Sequence, residues 1–176
     1  MRHEVRLAGF GGQGVISIGV LLAKAAGQFG NMEVAQTQSY GPEARGGACK
    51  TEVVLSDAII DYIKPIDLGV FVAMSQPALN AYVDGIKSDR PVLIDSTMIT
   101  DLPPRLSCVY RIPATSLAEK DLGLKVAANV VMFGALVKVS GWVSPVACKE
   151  ALQATFPAKV LDKNYAAFDL GYNYAF

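Results

Sequence analysis

Histidine is nearly absent: His3 is the only one in 176 residues. Ser-His-Asp and Cys-His machinery is thereby excluded unless His3 itself is the base, and its place at the start of an expected strand reads as an exposed, terminal imidazole. Cysteine is scarce as well. Cys49, Cys108 and Cys148 are odd in number, widely separated and without a C-x-x-C pair. Neither a zinc site nor a four-thiolate iron–sulfur cluster is encoded by such spacing. Three free thiols suit a reducing, cytoplasmic setting.

Charge of one sign is also missing. Lys plus Arg is 16 and Asp plus Glu is 16, a net charge of zero. Nucleic-acid binders and electrostatic membrane binders normally carry a basic excess, so both classes are disfavoured. A membrane span needs roughly 20 consecutive apolar residues. The best candidate, Val126 to Val137, is interrupted by Asn129 and followed by Lys138. Residues 1–9 read as a strand rather than a signal peptide.

Charged residues make up only 18% of the chain and apolar residues 52%, with a mean hydropathy of +0.32. Ordinary soluble domains are about 25% charged. With membranes disfavoured, this surplus implies surface covered by partners. The length suits one α/β domain over residues 1–176.

Along the chain, Glu4 to Ala8 is a first strand, Gly9 to Gly14 a glycine turn, and Val15 to Phe29 a helix with apolar residues at helical spacing. Gly30-Asn31 ends that helix, and Glu33 to Tyr40 is a second strand. This order is a βαβ unit with a right-handed crossover. Ala48 to Ser56 alternates, placing Cys49, Thr51, Val53 and Leu55 on one face. Short strands are expected at 68–73, 91–95 and 108–112, with a helix at 77–86 between the first two. Four helices should follow: a short one capped by Thr115 and Ser116 and reaching Leu122, Val126–Ser140, one opened by Ser144-Pro145 to about Thr155, and 159–170. The fold class is therefore α/β, a Rossmann-like three-layer sandwich with a mostly parallel sheet and helices on both faces.

Gly9-x-Gly11-x-x-Gly14, with Gly12 and Gln13 inside it, matches the dinucleotide fingerprint between a strand and a helix. Glycines let a phosphate approach backbone N–H groups, and the helix N-terminus adds partial positive charge. The fingerprint is incomplete. The end of the second strand carries Thr37, Gln38 and Ser39 where an acid should hold a ribose hydroxyl. NAD and FAD are thereby disfavoured. A phosphate or acyl-carrier contact and a purely structural turn both stay open.

Ser39-Tyr40-Gly41-Pro42-Glu43-Ala44-Arg45-Gly46-Gly47 is the most unusual stretch. It sets an aromatic, a carboxylate and a guanidinium on a glycine- and proline-framed loop at the carboxyl end of a strand, where ligands of open α/β sheets gather. A solvated turn holding a Glu43–Arg45 pair, worth little, is the plainer alternative. A loop facing a partner or ligand suits the composition better.

Three further places invite attention. Asp95-Ser96-Thr97 ends a strand and reads first as a cap. Val126 to Val139 is apolar nearly all round, so it is a central helix or one shared with another subunit. Tyr165, Phe168 and Tyr172 recur at helical spacing. Tyr174 and Phe176 close the chain with less reason to be buried within it, which makes them the interface candidates.

Taken together, Gly11-Gly12-Gln13-Gly14 and Gln36-Thr37-Gln38-Ser39-Tyr40-Gly41-Pro42-Glu43-Ala44-Arg45-Gly46-Gly47 resemble the gamma subunits of 2-oxoacid:ferredoxin oxidoreductases. The resemblance extends in length and element order over almost the whole chain. The tyrosine in the loop is closer to the 2-oxoglutarate type than to the pyruvate type.

The resemblance implies a complex that decarboxylates a 2-oxoacid on thiamine diphosphate, passes electrons through iron–sulfur clusters to ferredoxin and releases an acyl-CoA. This chain lacks the family's Gly-Asp-Gly with downstream asparagines for magnesium and diphosphate; Val83 precedes Asp84-Gly85. Thiamine diphosphate, magnesium and clusters are therefore expected on alpha, beta and ferredoxin-like delta partners. This chain would be a non-catalytic gamma subunit shaping the active-site and CoA region, prone to self-association when isolated. The competing readings are a free-standing nucleotide- or CoA-binding protein and a ligand-free homo-oligomeric scaffold.

Overall fold

The computed structural model describes residues 1–41 and 47–176. The strands are β1 (Arg2–Phe10), β2 (Glu33–Tyr40), β3 (Ala48–Ser56), β4 (Val70–Ala73), β5 (Val92–Asp95) and β6 (Val109–Ile112). The helices are α1 (Val15–Gly27), α2 (Gln76–Tyr82), α3 (Ala114–Leu122), α4 (Ala128–Ser140), α5 (Pro145–Thr155) and α6 (Ala158–Tyr172); a 3₁₀ turn, Lys125–Ala127, leads into α4.

The strands form one sheet in the order β2-β3-β1-β4-β5-β6. β3 alone is reversed, pairing antiparallel with both β1 and β2, while β1, β4, β5 and β6 are parallel neighbours. The expected βαβ unit is therefore split. β2 does run parallel to β1, but β3 is inserted between them. Hairpin-like pairing of β2 with β3 is local and comes cheaply in loop entropy, which favours this insertion.

β3 reads as predicted on its alternating face. Cys49, Val53 and Leu55 enter the larger core, and Thr51 donates to the Thr37 carbonyl at 2.9 Å. Its other face is also covered. There Glu52 binds Arg6 at 2.6 Å and Lys50 at 3.0 Å, and Arg6 continues to the carbonyls of Tyr82 and Asp84. Ion pairs and backbone acceptors thus tie the end of α2 to the sheet where apolar packing is thin.

The three layers are unequal. α1 and α3–α6 cover one face and enclose the larger core, whereas α2 and its flanking loops cover the other. α4 lies at the centre. Val130 to Val137 are all buried, against α1, α3 and α6 of this chain, which decides for the central-helix reading over the shared one. Full burial of each valine, leucine, methionine or phenylalanine among them stabilises by about 1.5–3 kcal/mol. α4 and α6 cross with backbones almost touching. A Cβ on Gly134 would overlap the Phe168 carbonyl oxygen, and one on Gly171 the Val131 carbonyl oxygen. Phe133 and Phe168 meet edge to face at 5.4 Å beside that crossing.

Helix boundaries follow local chemistry. Ser144 caps α5 by accepting from Ala147 N, with Pro145 at the first position. After α1, Asn31 takes a left-handed φ of 58° and Met32 N donates to the Ala26 carbonyl. Thr115 and Ser116 are not caps: α3 begins at Ala114, and Thr115 instead donates its hydroxyl to Asp95 at 2.6 Å. Helix α2 stops at Tyr82, four residues before the expected Ile86, because Val83 to Gly85 turn over at a glycine with φ 91°.

Candidate functional site

β1 and β4 are parallel neighbours, but the chain leaves them for opposite faces, through α1 and α2. Their carboxyl ends thus form the topological switch point, the crevice where open α/β sheets take ligands. The glycine turn lies there.

Gly9 is still within β1, and a Cβ on it would crowd Val15 at 2.7 Å and Gln13 at 2.8 Å, so its part is packing. Gln13 fastens the turn. Its Oε1 accepts from Phe10 N at 2.7 Å, and its Nε2 donates to the Met74 carbonyl at the end of β4 at 2.9 Å. Gly14 adopts φ 78° as the N-cap of α1 and makes no side-chain cap bond. Its carbonyl accepts from Asn129 Nδ2 at 3.4 Å, which ties α4 to the turn. Gly12, at φ 95°, has nothing within 4 Å of where a Cβ would stand. It faces open space.

Two cavities meet at Gly12. One, of about 390 Å³, is lined by the turn, the first residues of α1, Tyr40 and Cys49. The first turn of α1 contains no acidic residue and offers uncapped N–H groups there, the arrangement that attracts anions. The other, of about 250 Å³, is bounded by Gly12, Gln13, Met74, Thr115, Lys125 and Val126. Lys125 supplies its one cation, while Met74, Met98 and Val126 make it largely apolar. Sequence reasoning passed over this second group. Its signal was Lys125-Val126, a cation and a valine placed two residues after Gly123 and just before an apolar helix.

The second motif reaches the same place. Gly11 N donates to the Gly47 carbonyl at 3.1 Å, and Gly41 N to the Ala48 carbonyl at 3.1 Å. Ser39 and Tyr40 pair with Lys50 and Cys49, and the Tyr40 ring is 65% exposed beside the cavity. Pro42, Glu43, Arg45 and Gly46 lie outside the described residues. The fold therefore brings the base of the loop against the glycine turn.

The other candidates have partners within the chain. Asp95 is fully buried; it accepts from Thr97 N at 3.0 Å and from Thr115 N and Oγ1, so it caps two segments at once. Tyr174 and Phe176 do have partners in the chain: Phe176 meets Tyr110 at 5.3 Å and Tyr174 at 5.2 Å. They are thus packed within the chain more than the sequence implies, while Phe176 stays half exposed. His3 is not a free terminal imidazole either. It stacks on Trp142 at 4.7 Å, and burial lowers its pKa, with the N-terminal ammonium adding and Asp57 opposing.

Cys49 and Cys148 are poor nucleophiles. Burial raises Cys49 and pushes Cys148 up to about 12. Cys49, Cys108 and Cys148 sit in β3, before β6 and in α5, and among the described residues no three His, Cys, Asp or Glu side chains stand together as a metal site requires. These residues do not fit a thiolate-held cluster. Likewise, among them no helix is long and apolar enough to cross a membrane.

Known proteins resemble this architecture along its whole length. The profile of the pyruvate ferredoxin/flavodoxin oxidoreductase family matches residues 4–174. The 2-oxoglutarate synthase subunit KorC of Methanocaldococcus jannaschii is 45% identical over 177 residues, covering 99% of this chain and 95% of its own. The crystal structure of a keto/oxoacid ferredoxin oxidoreductase gamma subunit from Geobacter sulfurreducens superposes with a TM-score of 0.90 at 35% identity, over 98% of this chain and 95% of that one. A 2-oxoglutarate:ferredoxin oxidoreductase from Magnetococcus marinus, solved with 2-oxoglutarate, coenzyme A and succinyl-CoA bound, gives 0.85 at 28% identity. It covers 97% of this chain but only 30% of that one.

Proposed function

The chain belongs to the pyruvate ferredoxin/flavodoxin oxidoreductase family as a gamma-type subunit of a multi-subunit 2-oxoacid oxidoreductase, and from that premise we propose that it serves a cytoplasmic enzyme of the 2-oxoglutarate type and helps to hold coenzyme A at its glycine turn. The 2-oxoglutarate assignment is supported by the KorC relative and by Tyr40 in the loop. Thiamine diphosphate, magnesium and iron–sulfur clusters belong to alpha, beta and delta partners, with ferredoxin as acceptor. This chain offers no matching ligand set among its described residues.

The observation that carries the coenzyme A reading is Gly12, open on both sides at the switch point. Coenzyme A combines phosphates with a long, partly apolar arm. The uncapped start of α1 suits the phosphates, and the Met74–Val126 cavity with Lys125 at its edge suits a mixed arm. Tyr40 borders the same end, and Gly47 meets the glycine turn there, so the loop that the sequence marks as facing a ligand or partner starts and ends beside it. The chain would then add no reacting group. It would position the thiol-bearing substrate and keep water from the site.

Steady-state kinetics of the assembled complex test this. Gly12→Ala should raise KM for coenzyme A about tenfold or more while leaving KM for the 2-oxoacid unchanged. Equal effects on both, or none on either, would defeat the assignment.

A further inference from the structure

Residues 57–69, between β3 and β4, form no helix or strand. Yet this segment holds four of the ten large apolar side chains exposed among the described residues: Ile59, Tyr62, Ile63 and Ile66, at 82, 54, 52 and 73%. It is firmly fastened from beneath. Glu4 Oε2 accepts from Ile66 N and Asp67 N at 2.6 Å each. Arg2 Nη2 donates to the carbonyls of Tyr62 and Lys64 at 2.8 and 2.9 Å, and Arg2 and Glu4 pair at 2.6 Å. Ordering a loop costs conformational entropy, and displaying aliphatic side chains on it recovers nothing until they are covered. Beside the raised residues lies a hollow of about 600 Å³, lined by Ile66, Gly69 and the stacked His3–Trp142 pair among others.

We propose that Ile59, Tyr62, Ile63 and Ile66, with the hollow beside them, dock another polypeptide of the same oxidoreductase. That partner presents a neutral apolar patch with one protruding aromatic or aliphatic side chain. This rests on the subunit reading above. Charge argues against a lipid surface: Asp57, Asp61 and Asp67 flank the patch as well as Lys64, so no basic excess faces an anionic membrane. Membership of a multi-subunit oxidoreductase points to the occupant, and in the Magnetococcus marinus enzyme the matching region is 30% of one polypeptide, so this fold works there as one part of a larger body. The patch also lies at the amino edge of β1 and β4, opposite the glycine turn, so a partner seated here leaves the ligand end open.

The test uses the co-expressed complex with a tag on this chain. Ile59→Asp combined with Ile63→Asp should lower recovery of the other oxidoreductase subunits roughly tenfold, whereas Gln153→Asp, exposed on α5, should not. Hydrogen exchange on the unsubstituted protein avoids any question of misfolding: amides of residues 57–69 should exchange more slowly in the complex than in the free chain. Full recovery by the double variant, or equal exchange in both states, overturns the docking surface. So does a result in which the double variant dissociates only a homodimer and the complex stays whole. Should the unsubstituted chain recover no oxidoreductase subunit at all, the subunit reading falls as well, which separates the two failures.

Discussion

Gly171 and Gly12 sit in regions that use glycine for opposite reasons. At the α4–α6 crossing, Gly171 is helical, buried, and so close to Val131 that a Cβ has no room. At the turn between β1 and α1, Gly12 has a positive φ and empty surroundings. The first glycine lets the protein touch itself. The second keeps backbone exposed to something else. Only the second kind leaves room for a ligand, although the two are alike in sequence.

The largest expected effect lies on the packing side. Gly171→Ala should destabilise the chain by about 3 kcal/mol or more, because the obstacle is backbone that cannot swing aside. Denaturant midpoints would show it, and a loss under about 1 kcal/mol would mean that α6 can shift and the contrast is overdrawn. Removing the fastener of the turn comes next. Gln13→Ala leaves Phe10 N and the Met74 carbonyl without their side-chain partner and should cost about 1–3 kcal/mol, with turnover falling further than stability explains. Gly12→Ala should cost only about 1 kcal/mol, the strain of its φ, while impairing coenzyme A use. A large stability loss there would erase the distinction between the two regions.

The smallest effects concern pH, since the groups whose shifts act below neutrality, His3 and Glu52, lie outside both glycine regions. His3 has its folded pKa lowered, chiefly by burial, so protonation is disfavoured in the fold. Its contribution is full above the unfolded value of about 6.5 and declines as pH falls through it. Glu52 is opposed by burial, but hydrogen bonds and charge from Lys50 and Arg6 outweigh that and lower its pKa. Stability from this cluster is present above about pH 4.5 and lost as pH falls through the depressed value. His3→Gln should flatten the first slope and Glu52→Gln the second, in melting temperatures measured across pH 3–8.

Local signals carried much of the fold. Apolar spacing marked α1 and α4, Ser144-Pro145 marked α5, and Gly9 to Gly14 marked the strand–helix turn. Pairing across the chain was less legible. The alternation of Ala48 to Ser56 is the same whether β3 lies at an edge or between β1 and β2, so nothing local reveals the insertion. Thr115 looked like a cap because its real partner, Asp95, is twenty residues away. Phe176 looked unattached because Tyr110 is met only in three dimensions. The 59–66 patch has apolar residues at no regular period amid Asp and Pro, and the sequence does not tell an outward display from a buried loop.

Whether this chain shapes a shared site without redox chemistry of its own is decided by reduction of ferredoxin, dependent on 2-oxoglutarate and coenzyme A, in three preparations: this chain alone, the remaining subunits alone, and the two recombined. The chain alone should give no turnover, the remaining subunits severely reduced turnover, and mixing should restore it. Undiminished turnover by the subunits without this chain, or oxidation of the 2-oxoacid by this chain alone, would contradict this.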